Sequence, residues 1–70
     1  MAQLLTKVTV NFLRSNYEAV ERISSGTGHT KADTVNRAVQ LYDLVNTRLE
    51  EGDKLAFVRK DGTVEEVVLL

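Results

Sequence analysis

Polar and apolar residues alternate near the start of the chain. Residues 7–12 read Lys-Val-Thr-Val-Asn-Phe, with a period of two and two β-branched valines. This pattern is typical of a strand that buries one face. We therefore predict a strand over residues 7–12, with Val8, Val10 and Phe12 on one face and Lys7, Thr9 and Asn11 on the other.

Two helices are predicted to follow the strand. Ser15, with Glu18 three residues later, is typical of a capping box and predicts a helix start. Either glycine of residues 24–28 fits the left-handed position that ends a helix. Thr30 is the predicted N-cap of the second helix, with Asp33 at the third helical position. That helix carries a broad apolar stripe, which favours burial against a second copy; its residues are Val35, Ala38, Val39, Tyr42, Val45 and Leu49, widened by Leu41 and Leu44.

The C-terminal residues predict a β-hairpin. Residues 55–59 and 64–70 are rich in β-forming residues, and Asp61-Gly62 between them is a strong hairpin signal. A two-residue turn would place Leu55, Phe57, Val64, Val68 and Leu70 on one face. A bulged turn would shift the pairing by one residue. The predicted class is α+β, with residues 1–50 as the core and residues 51–70 as a hairpin extension of the same compact unit.

The chain is short for a domain that is stable as one copy. It has 70 residues, no cysteine and one histidine. A chain of this size buries only about 60% of its unfolded surface, and small domains rely on disulfides, metals or oligomerisation. Disulfides are excluded, and one histidine cannot build a metal site. Oligomerisation is the remaining way to stabilise the fold.

Composition and charge limit the classes of function. No apolar run approaches the roughly 20 residues of a membrane span, so we expect no membrane and a cytoplasmic location. The net charge is −1, with +2 in residues 1–37 and −3 in residues 38–70. A negative chain argues mildly against nucleic-acid binding, but its basic half leaves room for it. No nucleophile, base and acid form a set, so we expect no enzyme, no cofactor and no metal.

The predicted first strand has no obvious partner within its own strand–helix–helix unit. The C-terminal hairpin is one possible partner, and the same strand from a second copy, running antiparallel, is the other. In the second case Lys7, Thr9 and Asn11 project from both strands, and these residue types suit base edges in the major groove. The alternative is that they are simply the solvated face of an amphipathic strand.

Residues 7–45 resemble the ribbon–helix–helix (MetJ/Arc) DNA-binding family. The likeness lies in the ordered set of K-V-T-V-N-F, a first helix, a turn ending in Gly28, and T-K-A-D-T-V-N-R-A-V. It implies a homodimer with an intermolecular antiparallel two-stranded ribbon in the major groove. It implies base contacts from Lys7, Thr9 and Asn11, and phosphate contacts from Thr30, Lys31 and Ala32. The shared dimer core would contain Val8, Val10, Phe12, Val35, Val39 and Tyr42.

The resemblance predicts sequence-specific binding of double-stranded DNA by a transcriptional repressor or autoregulator. Arg14, just past the strand, is a further candidate phosphate contact. His29 stands where an aliphatic or basic residue is more usual, and the family pattern does not cover the hairpin. The hairpin would pack on the second helix, join dimers along DNA, or bind a protein. The alternative function is a protein–protein adaptor or antitoxin that uses residues 51–70 as its partner surface.

Overall fold

The computed structural model describes residues 4–68 and has the order helix, helix, strand, strand. Helix α1 spans Arg14–Thr27 and helix α2 spans Lys31–Glu50. Strands β1 (Leu55–Val58) and β2 (Val64–Val67) follow. The α+β class predicted from the sequence is confirmed. The described chain divides into two units, residues 4–34 and residues 35–68, and the boundary falls within α2.

Helix α1 begins at Arg14, one residue before Ser15, which the sequence predicts as its N-cap. Leu13 is the N-cap residue, with an extended backbone (φ −61°, ψ 143°) and no side-chain capping hydrogen bond. Its carbonyl accepts hydrogen bonds from the N–H groups of Asn16 and Tyr17, both at 3.0 Å. The capping box predicted at Ser15 is therefore wrong, because Ser15 already lies inside the first turn.

The connection between α1 and α2 follows the sequence signals closely. Gly28 takes the left-handed conformation (φ 78°), and its N–H donates to the Ser24 carbonyl at 2.9 Å. Gly26, the other predicted candidate, lies inside α1. The Thr30 hydroxyl oxygen accepts a hydrogen bond from the Asp33 N–H at 3.0 Å. The predicted N-cap of α2 is confirmed, and a side-chain acceptor there contributes about 1 kcal/mol to a helix.

The predicted N-terminal strand is not formed within the chain. Residues 4–13 have no regular secondary structure, and the strands of residues 4–68 come after the helices rather than before them. A strand is defined by hydrogen bonds to a neighbour. Within residues 4–68, the sheet consists of β1 and β2 paired with each other. The hairpin is therefore not the partner of residues 7–12, which removes one of the two pairings considered from the sequence.

The hairpin has the bulged turn and not the two-residue turn. Its register pairs Leu55 with Val67 and Val58 with Val64. The Arg59 N–H donates to the Thr63 carbonyl at 2.8 Å, so the turn contains residues 60–62. Gly62 has φ 90°, the left-handed position that such a bulged turn needs.

The register changes which side chains share a face of the hairpin. Residues directly opposite each other lie on the same face. Leu55, Phe57, Glu65 and Val67 therefore share one face, and Ala56, Val58, Val64 and Glu66 share the other. The predicted apolar face was wrong, because Val64 lies opposite to the face of Leu55 and Phe57. Val68 lies beyond the end of β2, and Leu70, which the predicted face also included, lies outside the described residues.

The described chain has no buried hydrophobic side chain. Across residues 4–68 the buried side chain is Thr34, at 6% exposure, while most large apolar residues are exposed. The Thr34 hydroxyl donates to the Thr30 carbonyl at 2.9 Å. Neither helix in this part of the chain has the length and apolar character needed to cross a bilayer.

Candidate nucleic-acid interface

The predicted base-reading residues are all accessible. Lys7, Thr9 and Asn11 are exposed in the segment that precedes α1. Asn11 lines an open groove of about 510 Å³ beside the first turns of α1, together with Val10, Phe12, Arg14, Tyr17, Glu18 and Glu21. Three consecutive residues of the segment, Val10, Asn11 and Phe12, thus line the same groove. The separation of the segment into a polar and an apolar face stays a prediction.

The apolar residues of the same segment are exposed as well. Val8 is 71% exposed, Val10 58% and Phe12 42%. In the second unit, Val39 and Tyr42 are also exposed, and Val35 is half-buried. Burying one such side chain contributes about 1.5–3 kcal/mol. The residues predicted to form a shared core are therefore largely unburied within one chain. Most of that stabilisation would be gained only through a contact outside the single chain.

The N-terminus of α2 is held in place by two threonines. Thr30 caps the helix through the Asp33 N–H, and Thr34 returns a hydrogen bond to the Thr30 carbonyl. The positive end of the helix dipole favours an anion at this point. Asp33 in the first turn already supplies one negative charge. Binding of a phosphate at this point would therefore need a nearby cation to offset the charge of Asp33, and Lys31 is such a cation.

Lys31 is held by the side chain of Tyr17 in α1. Its ammonium donates a hydrogen bond to the Tyr17 hydroxyl oxygen at 2.9 Å. The same nitrogen lies 5.1 Å from the centre of the Tyr17 ring, within the range of a cation–π contact. The hydrogen bond to Tyr17 raises the pKa of Lys31 above its ordinary value of 10.5.

Arg14 is positioned differently from Lys31. Its guanidinium forms an ion pair with Glu18 at 3.3 Å, and its side chain is 91% exposed. Exposed pairs at this spacing contribute only about 0.3–0.5 kcal/mol, so the guanidinium is easily released to a stronger anion. Its predicted role at a phosphate stays a prediction.

Positive and negative charge are distributed unequally between the two units. Residues 4–34 carry a net charge of +1, and residues 35–68 carry −2. The acidic residues of the second unit are interleaved with cations. Arg48 lies 2.6 Å from Asp53, and Arg59 is paired with Glu65. Of the two units, the first is electrostatically the better match for a polyanion.

Comparison with protein-family models, with curated proteins and with solved structures finds no match for this chain. A functional assignment therefore depends on the residues and geometry described above.

Proposed function

We propose that the protein is a homodimer that binds double-stranded DNA sequence-specifically and acts as a transcriptional repressor or autoregulator. The observation that carries the proposal is the segment of residues 7–12. It has an alternating sequence, exposed apolar residues and no strand partner within the described chain. Antiparallel pairing of two copies would satisfy the backbone groups of both segments and would cover Val8, Val10 and Phe12.

Pairing of the two segments would create a polar surface of the right size for DNA. A two-stranded ribbon fits the major groove, which is about 12 Å wide. Each copy would contribute Lys7, Thr9 and Asn11. Lysine donates to guanine, asparagine pairs with adenine through two hydrogen bonds, and threonine contacts thymine. A two-fold symmetric ribbon would read a pseudo-palindromic site.

The remaining contacts of the proposal are to the phosphate backbone. Thr30, Lys31 and Ala32 open α2, where the helix dipole and the Lys31 ammonium attract an anion. Arg14 is proposed as a weaker contact. These residues would position the ribbon without reading bases. A protein with this function works where the DNA is, which accords with the cytoplasmic location expected from the sequence. The pairing of dimers along DNA is part of the same proposal.

The proposal is tested by selecting bound duplexes from a random pool and measuring fluorescence anisotropy over a salt series. We expect a pseudo-palindromic site and binding that weakens as salt rises. Asn11→Ala should cost about 1–3 kcal/mol for each lost bidentate base contact. Replacing Lys7, Thr9 and Asn11 together by alanine should abolish the preference for the selected site. The matched control is Lys60→Gln in the hairpin turn, which removes a cation from the second unit.

Two results would contradict the proposal. One is a failure to select any site, with equally weak binding by the wild type and the triple variant. The other is a triple variant that keeps the full preference of the wild type for the selected site. In either case the ribbon would not be the reading surface.

A second candidate function, that of a protein–protein adaptor or antitoxin, is favoured by the hairpin. Phe57 and Val58 in β1 and Val64 in β2 are exposed apolar residues. In this alternative the dimer is kept and residues 51–70 bind a protein. Phe57→Ser should then abolish capture of that partner and leave DNA affinity unchanged. Capture of the partner that survives Phe57→Ser would contradict this second function.

A further inference from the structure

One aromatic side chain of α1 contacts residues on both sides of it in the first unit. The Tyr17 ring lies 6.4 Å from the Phe12 ring, centre to centre, at an interplanar angle of 55°. Its hydroxyl oxygen accepts the hydrogen bond from Lys31 at 2.9 Å. Tyr17 thus lies between the end of the proposed reading segment and the first residue of α2.

The contact restricts a side chain that is otherwise very mobile. A lysine side chain has four rotatable bonds and carries about 2 kcal/mol of rotamer entropy. Part of that entropy is lost when its ammonium is fixed on an anion. The hydrogen bond and the cation–π contact with Tyr17 order Lys31 before any ligand arrives. An ammonium has three donors, so two remain for the oxygens of a phosphate.

We infer that Tyr17 is a positioning residue for Lys31, which it holds beside the N-terminus of α2 to contact a DNA phosphate. The inference rests on the proposed function. Ordering the lysine in advance reduces the entropy lost on binding, which is the general origin of preorganisation. The same hydrogen bond also raises the pKa of Lys31 above its ordinary value.

If Tyr17 had a purely structural role, a different part of its side chain would be responsible. In that case the ring would matter through Phe12, and the hydroxyl would not. Tyr17→Phe separates the two, because it keeps the ring and its contacts and removes only the hydrogen bond to Lys31. The experiment compares wild type, Tyr17→Phe, Lys31→Gln and the double variant. Anisotropy is measured over a salt series on the selected duplex and on an unrelated duplex.

Lys31→Gln should reduce the salt slope, the change of log K with log salt, by about 0.9 for each lost phosphate contact, and therefore by about 1.8 for a dimer with two Lys31 residues. Tyr17→Phe should weaken binding by about two- to tenfold, the range of one hydrogen bond. Both variants should weaken the two duplexes alike, since a phosphate contact carries no sequence information. In the Lys31→Gln background, Tyr17→Phe should have no further effect, which a structural role would not predict.

Three results would overturn the inference. The first is wild-type affinity in Tyr17→Phe, and the second is an equal weakening of binding by Tyr17→Phe with and without Lys31. The third is tighter binding by Tyr17→Phe, which would mean that Tyr17 holds Lys31 away from the phosphate. The free protein gives an independent test, because the NMR-monitored pKa of Lys31 should fall in Tyr17→Phe. If the wild type bound no duplex while this pKa still fell, the contact would stand and the proposed function would fail.

Discussion

The two units of this chain satisfy their polar and apolar groups in different ways. In residues 35–68, two strands pair with each other and Asp53 and Glu65 are matched by arginines. In residues 4–34, Gly28 and Thr30 cap the two helix ends at their connection, but the N-terminus of α1 has no side-chain cap, and the segment before it has exposed valines and belongs to no sheet. The second unit thus pairs its strands with each other, whereas residues 4–13 of the first have no strand partner within the described chain; apolar side chains are exposed in both units.

The largest expected effect comes from placing a charge in the apolar part of the first unit. Val10→Asp should prevent self-association, because an uncompensated buried charge costs about 3–5 kcal/mol. Sedimentation velocity and a thermal melt at several concentrations measure the change. We expect a monomer that is largely unfolded.

The matched control is Thr9→Asp, which adds the same charge at the neighbouring residue. Thr9 is proposed to lie on the polar face, so this variant should stay dimeric even if it loses DNA affinity. A folded, dimeric Val10→Asp protein would refute the pairing of the two segments, and monomeric Thr9→Asp would show that the segment does not have two distinct faces.

A smaller effect is expected from two glycines, one in each unit. Gly62 has φ 90° in the hairpin turn, so Gly62→Ala should destabilise the fold by about 1–2 kcal/mol. Gly26 lies inside α1, with open space where a Cβ would stand, so Gly26→Ala should stabilise it by about 0.5–1 kcal/mol. Chemical denaturation measures both. Equal effects of the two substitutions would contradict the difference in backbone conformation.

The smallest effect concerns the pH dependence of the hairpin turn. The Thr63 N–H donates to the Asp61 carboxylate at 2.9 Å, and this bond lowers the pKa of Asp61 below its ordinary 3.8. The stabilisation by the ionised carboxylate is therefore complete above pH 3.8 and is lost as the pH falls through the lower value. The NMR shift of the Thr63 amide should titrate in that acidic range, and Asp61→Asn should remove the titration. A midpoint above 3.8 would contradict the hydrogen bond.

Much of the fold follows from short-range signals in the sequence. Thr30 and Gly28 fixed the connection between the helices, and Asp61-Gly62 fixed the place of the hairpin turn. The register was not predictable from that dipeptide, since a left-handed Gly62 fits both a two-residue and a bulged turn. Ser15 was misread because a local Ser-x-x-Glu pattern does not reveal whether the helix has already begun.

The candidate site was less accessible to sequence reasoning. Tyr17 and Lys31 are 14 residues apart, and their contact depends on the turn between α1 and α2. Tyr17 lies at helical spacing from Val20 and Ile23, and that spacing says nothing about its hydroxyl. The only usable signal was a tyrosine, whose ring carries a hydroxyl, in the helix that precedes a lysine at the start of the next helix. The pairing of residues 7–12 is a property of two chains, which no pattern in one chain determines.

The two-stranded sheet also bears on how the protein behaves when it is concentrated. Within the described chain each strand has one neighbour, so each has one open edge. If the β2 edges of two molecules paired, Glu65 and Glu66 of one strand would face the same glutamates of the other. Repulsion between these like charges disfavours aggregation through β2. β1 reads Leu-Ala-Phe-Val and has no charge of its own, so Lys54 and Arg59 at its ends act as gatekeepers. High salt screens the charges of Lys54 and Arg59. We therefore expect cross-β aggregation at high salt to nucleate at β1.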